Sequence, residues 1–185
     1  MLLSQIEFYN SPDGEVMIKT SEEPVRKLEE SDRELIQELF ITIRDRYPIA
    51  FKRLGELYSK NERNRWHFEY KIVHRFIRCN FGEYDQYKYD IDRNGYFQFE
   101  EVKCPLRGEC IHEEIICKPQ LNTKLSEREL EILRFTADGM QALEIANELC
   151  ISVATVNRHR ENIKAKINVR TISQMVNFYN LNMKQ

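Results

Sequence analysis

Asn157, Arg158 and Glu161 are the residues of this chain whose types and spacing best match a defined recognition chemistry. Base edges in the major groove of double-stranded DNA are read by forked or amide side chains. Arginine takes the acceptors of guanine, asparagine the donor and acceptor of adenine, and glutamate accepts from the amino group of cytosine. Offsets of one and four residues bring the three near one face of a helix. His159, Arg160, Lys164, Lys166 and Arg170 flank them and suit phosphates, which supply affinity and salt dependence but no sequence information. From Ile151 to Gln185, Arg158, Arg160, Lys164, Lys166, Arg170 and Lys184 stand against Glu161 alone, in a chain whose net charge is −2. That asymmetry is a footprint for a polyanion.

A second set of candidate groups is the cysteines, Cys79, Cys104, Cys110, Cys117 and Cys150, three of which fall in the run CPLRGECIHEEIIC. The N-terminus lacks a basic start followed by an apolar stretch, and no apolar run approaches a membrane span. The expectation is therefore a cytoplasmic chain with little use for structural disulfides. The gaps between Cys104, Cys110 and Cys117 are wider than the two-residue knuckles typical of zinc sites. Three readings stay open: reduced, partly buried thiols; a zinc site with Cys79 as fourth thiolate or His112 in its place; or an iron–sulfur cluster, which would make the protein a redox sensor. Cys150 reads as a small buried packing residue. His67 and His74, two helical turns apart, read as ordinary polar or interfacial histidines.

The elements that position the first set are spelled out locally. Ser126 with Glu129 forms a Ser-x-x-Glu capping box, and Leu125 and Leu130 sit where a hydrophobic staple closes, so a helix starts there. Leu130, Leu133 and Ala137 recur at helical spacing until Asp138-Gly139 offers a left-handed end. Leu143, Ile145, Ala146 and Leu149 form a second short apolar face. Cys150-Ile151-Ser152 leaves room only for a tight corner, with Ser152 as N-cap of a third helix. On that helix Val156, Ile163 and Ile167 point one way, while Ala154, Arg158, Glu161 and Ala165 point the other.

The segment LSERELEILRFTADGMQALEIANELCISVATVNRHRENIKAKINVR resembles the DNA-binding domain of the LuxR/NarL/GerE family of bacterial transcription regulators. The matching pieces are LSEREL, the DG turn, EIANEL and the run ISVATVNRHRENIKAKI, where Thr155, Val156, His159, Asn162, Ile163, Lys166 and Ile167 each fall on a patterned position. The resemblance covers about a third of the chain. It implies an all-α, four-helix helix-turn-helix domain whose third helix enters the major groove, with Thr155 and Asn162 joining the phosphate-contacting set. It also implies a fourth helix, here Thr171 to about Leu181, that commonly serves dimerisation. Glu161 departs from the base-reading or basic residue frequent at its position, which bears on the preferred sequence.

A length of 185 residues suits two small domains. The expected organisation is an α+β domain over residues 1–117, a linker over 118–124 and the helix-turn-helix domain over 125–185. In the first domain, Ile6 and Phe8, then Val16 and Ile18, alternate around an Asn10–Gly14 turn cluster and predict a hairpin. Ser31 and Glu34 predict a capping box ahead of a helix that stops before Pro48. Pro48 opens a second helix, to about Tyr58, and Asn61 or Glu62 a third, to about Arg78. Asn94-Gly95 between aromatic runs predicts a second hairpin over 85–102. The same residues, Asp90, Asp92, Asn94, Gly95 and Glu101, fit the spacing of an EF-hand loop, but they lack its flanking helices.

No phosphate-cradling glycine loop or catalytic arrangement is evident, and neither a phosphoacceptor domain nor a lactone-binding domain is legible before residue 118. The functional expectation is a non-enzymatic, sequence-specific DNA-binding regulator, acting as a homodimer on double-stranded DNA. RNA polymerase is a further candidate partner, and residues 1–117 would sense a signal or partner. The alternative is a metal- or redox-responsive signalling protein whose helix-turn-helix contacts proteins.

Overall fold

A computed structural model of the chain describes residues 3–61, 63–84, 88–92 and 95–183, which fall in two compact units, residues 1–120 and 121–185.

In the first unit, β1 (Ile6–Asn10) and β2 (Val16–Thr20) pair antiparallel, from Ile6 opposite Thr20 to Asn10 opposite Val16. The alternation read from the sequence puts Ile6, Phe8, Val16 and Ile18 in the core. Gly14 takes φ +81° at the turn, where its N–H donates to the Ser11 carbonyl at 2.9 Å. A third strand, β3 (Arg26–Lys27), pairs with β2. At two residues it is too short to leave a periodic signature.

Three helices follow: α1 (Arg33–Arg46), α2 (Pro48–Tyr58) and α3 (Arg65–Asn80). The expected Ser31–Glu34 box does not form at α1. The helix starts after Asp32, whose carboxylate is engaged instead by Arg26 at 2.9 Å and by the Glu29 N–H at 2.8 Å. Pro48 opens α2 as expected, its fixed φ suiting a first helical turn that lacks N–H partners. The side chain of Asn64, three residues past Asn61, caps α3 by accepting from the His67 N–H. Ile72, Val73, Phe76 and Ile77 of α3 are fully buried, each contributing about 1.5–3 kcal/mol of apolar burial.

Of the hairpin expected over 85–102, the described residues show a short form: Ile91 bridges Phe97 antiparallel, the Asp92 N–H donates to the Tyr96 carbonyl at 3.0 Å and the Gln98 N–H to the Asp90 carbonyl at 2.8 Å; 85–87, 93 and 94 lie outside them. On its other side Ile91 bridges Ile6. The Asp90 carboxylate accepts the Phe8 N–H at 2.6 Å, which fastens this segment to β1. Phe97 and Phe99 pack against Tyr47, Phe76 and Phe81. The aromatic residues that suggested a free-standing ribbon are thus used to close the core over α3. Among the described residues no helix flanks the Asp90–Glu101 run as an EF-hand frame requires.

The second unit holds α4 (Glu127–Ala137), α5 (Ala142–Glu148), α6 (Val153–Lys166) and α7 (Ile172–Asn182). Ser126 and Glu129 form the expected reciprocal capping box. Gln141 with Glu144 and Thr171 with Gln174 form further ones. Three of these helices end in the same way, with a left-handed residue just past the last turn. After α4, Gly139 (φ +90°) lets Met140 N–H reach the Phe135 carbonyl at 3.0 Å. After α5, Cys150 (φ +52°) lets Ile151 N–H reach Ala146 at 2.9 Å, and after α6, Asn168 (φ +55°) lets Val169 N–H reach Lys164 at 2.9 Å. This is the Schellman closure, and it sets the sharp corners between helices. Ile132, Leu133, Ile145, Val156, Ile163 and Met175 fill the space between them. No helix among the described residues is long and apolar enough to cross a membrane.

Candidate nucleic-acid interface

The helix α6 starts where Ser152 turns its hydroxyl back onto the Thr155 N–H at 3.1 Å, with the two hydroxyls 2.8 Å apart. Val156, Ile163 and Ile167 are buried, as their spacing predicts. Asn157, Arg158, Glu161 and Asn162 are exposed on the outer side, together with the small residues Ala154 and Ala165. Small residues between polar ones let such a face approach a surface closely. The Glu161 carboxylate lies 2.8 Å from Lys164 one turn on, which partly neutralises both.

The residues expected to meet phosphates divide into groups. Arg170 and Lys166 are exposed and Thr155, His159 and Lys164 half-buried. Lys166 already has a partner: its ammonium lies 2.7 Å from Glu129, linking the end of α6 to the start of α4. Burial alone would raise the Glu129 carboxyl. The Lys166 ammonium and the Ser126 N–H and O–H outweigh it and hold the group below the usual carboxylate range.

Arg160 departs from its expected role. It is only 8% exposed, and its guanidinium donates to the Thr136 hydroxyl at 3.2 Å and to the Met140 carbonyl at 3.1 Å. The reason is position: Val156, Arg160, Ile163 and Ile167 continue one inward stripe at helical spacing, so the side chain extends under the helix toward the end of α4. Burial pushes its pKa down. Arg160 is therefore a positioning residue that holds α6 against the α4–α5 corner. Composition alone counted it with the cations; its register between Val156 and Ile163 carried the correct signal. Arg128 plays a related part that composition did not reveal, donating to the Leu149 carbonyl at 2.9 Å and so closing α4 onto the end of α5. Cys150, expected in the core, is exposed, because the left-handed corner turns its side chain outward.

The metal reading is also corrected. Cys79 lies in the last turn of α3, and Cys104, Cys110 and Cys117 lie in the succession of turns over 102–117. Among the described residues, no group of three or more His, Cys, Asp or Glu side chains is arranged to hold a metal ion. The four thiols, with or without His112, therefore do not assemble the zinc or cluster site that the sequence left open beside the reading of free, partly buried thiols. The physical reason is the backbone path: hydrogen bonds from Arg107 N–H to Cys104 and from Cys110 N–H to Leu106 wind 104–110 into its own turns. Among the described residues, Cys79 and Cys117 are the thiols that act on each other most strongly, with Cys104 acting more weakly on Cys79.

A short helix held at a fixed corner to a second helix, whose outer face carries amide, guanidinium and carboxylate groups, defines the helix-turn-helix class. Residues 123–179 belong to the family described as bacterial regulatory proteins, luxR family. Regulatory protein SdiA of Escherichia coli is 45% identical over 65 residues, covering 35% of this chain and 26% of that protein. The HTH-type quorum-sensing regulator RhlR of Pseudomonas aeruginosa is 40% identical over 84 residues, 40% of this chain and 35% of that protein. Oxygen regulatory protein NreC of Staphylococcus carnosus is 43% identical over 54 residues, 29% of this chain and 25% of that protein. The match thus spans about a quarter to a third of these relatives' length.

Proposed function

We propose that this protein is a sequence-specific DNA-binding transcription regulator that inserts α6 into the major groove. The observation that carries the reading is the division of α6. Its apolar stripe and Arg160 are buried, and Asn157, Arg158 and Glu161 are presented outward. Those side chains match the hydrogen-bonding patterns of adenine, guanine and cytosine edges. Arg170 and Lys166, with Thr155, His159, Asn162 and Lys164 around them, would meet the backbone and fix the register. The family membership of residues 123–179 and the regulator names of the similar proteins support the same reading.

Binding as a homodimer on two half-sites follows from the docking geometry of the class. Residues 1–120 have their own core and are proposed to receive a signal or a partner. The test is binding-site selection from random duplexes with the full chain, followed by titration of the selected duplex. Arg158→Ala should weaken that complex by about 1–3 kcal/mol and relax preference at one base position. Equal affinity of wild type and variant for selected and scrambled duplexes would reject the assignment of α6.

A further inference from the structure

The first unit contains a thiol pair that the DNA-binding reading does not use. Cys79 sits in the last turn of α3, and Cys117 lies in the final turns of the unit. They are brought together by their neighbour, Asn80. That buried amide donates to the Ile116 carbonyl at 2.9 Å and accepts the Lys118 N–H at 2.8 Å, so it grips the backbone on both sides of Cys117. It also donates to Phe76 at 2.9 Å, which fixes the amide to α3. Ile116 is fully buried and anchors the same stretch from inside. The result is that residue 117 is held in a single register beside the end of α3, where the Cys79 and Cys117 thiols act on one another.

The surroundings favour ionisation of one member of the pair. Arg75, one turn before Cys79 on α3, carries a buried Nε–H without a hydrogen-bond partner among the described residues. The Cys79 thiol first, and then the Arg107 and Arg75 guanidinium groups, lower the Cys117 thiol against burial and against the Glu113 carboxylate, which lies 3.3 Å from Arg107. Cys79, donating its proton and buried, is pushed the other way. The two thiols are thus unequal, Cys117 being the one whose surroundings favour the thiolate, and both are half-buried.

We propose that Cys79 and Cys117 are a reversible redox pair that takes hydroperoxides as its oxidant and closes to an intramolecular disulfide. The Cys117 thiolate attacks the terminal oxygen of the hydroperoxide. An S–O bond forms, the O–O bond breaks, and the alkoxide or hydroxide that leaves takes up a proton. The Cys79 sulfur then attacks the sulfenic sulfur, the S–S bond forms and water departs with the Cys79 proton. Two thiols are oxidised by two electrons and one hydroperoxide is reduced. A dithiol reductant reverses the step by exchange. The bond would tie the end of α3 to the residues that lead into Leu121, where the second unit begins. The proposal is independent of which DNA sequence, if any, the second unit reads.

The experiment uses the reduced full chain, treated with hydrogen peroxide, blocked with an alkylating reagent and mapped by peptide mass spectrometry. A Cys79–Cys117 linked peptide, lighter by two hydrogens and restored by dithiothreitol, is expected. Alkylation of the reduced chain at pH 7 should be about tenfold faster at Cys117 than at Cys104. Cys79→Ser should leave a sulfenic acid at Cys117, trapped by dimedone, while Cys104→Ser and Cys150→Ser should still form the link. Peroxide-treated wild type that retains all its thiols, or that joins Cys117 to Cys104 or Cys110, would overturn the proposal. Because the linked peptide is read on wild type, misfolding of a variant does not remove the test.

Discussion

Arg160 shows how one residue's register can outweigh its charge. Counted with its neighbours it is one more cation for phosphates; placed between Val156 and Ile163 it is a buried donor to Thr136 and Met140. Arg160→Ala leaves those acceptors buried and is expected to cost the second unit about 1–3 kcal/mol, read by thermal or urea denaturation. Arg160→Leu should cost less, since it fills the space without burying a charge. Neither change should alter the salt dependence of DNA binding, whereas a phosphate contact would. Arg158, two residues earlier and exposed, should behave in the opposite manner, losing affinity while keeping stability. The cysteines teach the same lesson from the other side. Their spacing allowed four ligands, but which pair meets is decided by Asn80, a residue with no mark in the sequence.

At the scale of elements, local chemistry carried most of what was legible. Ser126–Glu129, Ser152, Pro48 and Gly139 each set a boundary through a bond or a backbone conformation that needs only near neighbours. What was not legible depended on distant partners. Ser31 does not cap α1, where the chain is tied instead through the Asp32 carboxylate to Arg26 and Glu29, and the hairpin at Ile91–Phe97 is not free-standing, because Tyr47 and Phe76 take the Phe97 and Phe99 rings into the core. The α5 corner makes a direct prediction. Cys150 occupies a left-handed conformation that costs a residue with a Cβ about 1–2 kcal/mol, and glycine adopts it freely. After the entropy that glycine loses on folding, Cys150→Gly should stabilise the second unit by up to about 1 kcal/mol, seen as a higher unfolding midpoint. The start of α4 gives a pH prediction. Glu129 is held below its unfolded value, so its contribution is present above that value, about 4.3, and is lost as pH falls through the lower folded value. The stability difference between wild type and Glu129→Gln should be constant near neutrality and shrink on acidification through that window.

For the molecule as a whole, the net charge of −2 says little about what the chain binds, because all the acids but Glu161 lie before Ile151 and leave six cations in residues 151–185 almost unopposed. DNA affinity should therefore fall steeply with salt although the protein is acidic overall. The logarithmic slope should be about −0.9 for each phosphate contacted, and Lys166→Ala should flatten it by about one unit. The chain divides into compact units at residues 1–120 and 121–185. The role of the first unit is not legible in the sequence, since its core residues report packing and not chemistry. The bond between Lys166 and Glu129 carries one more consequence. A DNA phosphate approaching Lys166 must compete with a carboxylate 2.7 Å away for the same ammonium. Under the proposed function, the grip on nucleic acid and the cohesion of the helices would therefore draw on one shared hydrogen-bond donor. Glu129→Gln should release that donor, giving a protein that melts earlier and holds its duplex more tightly.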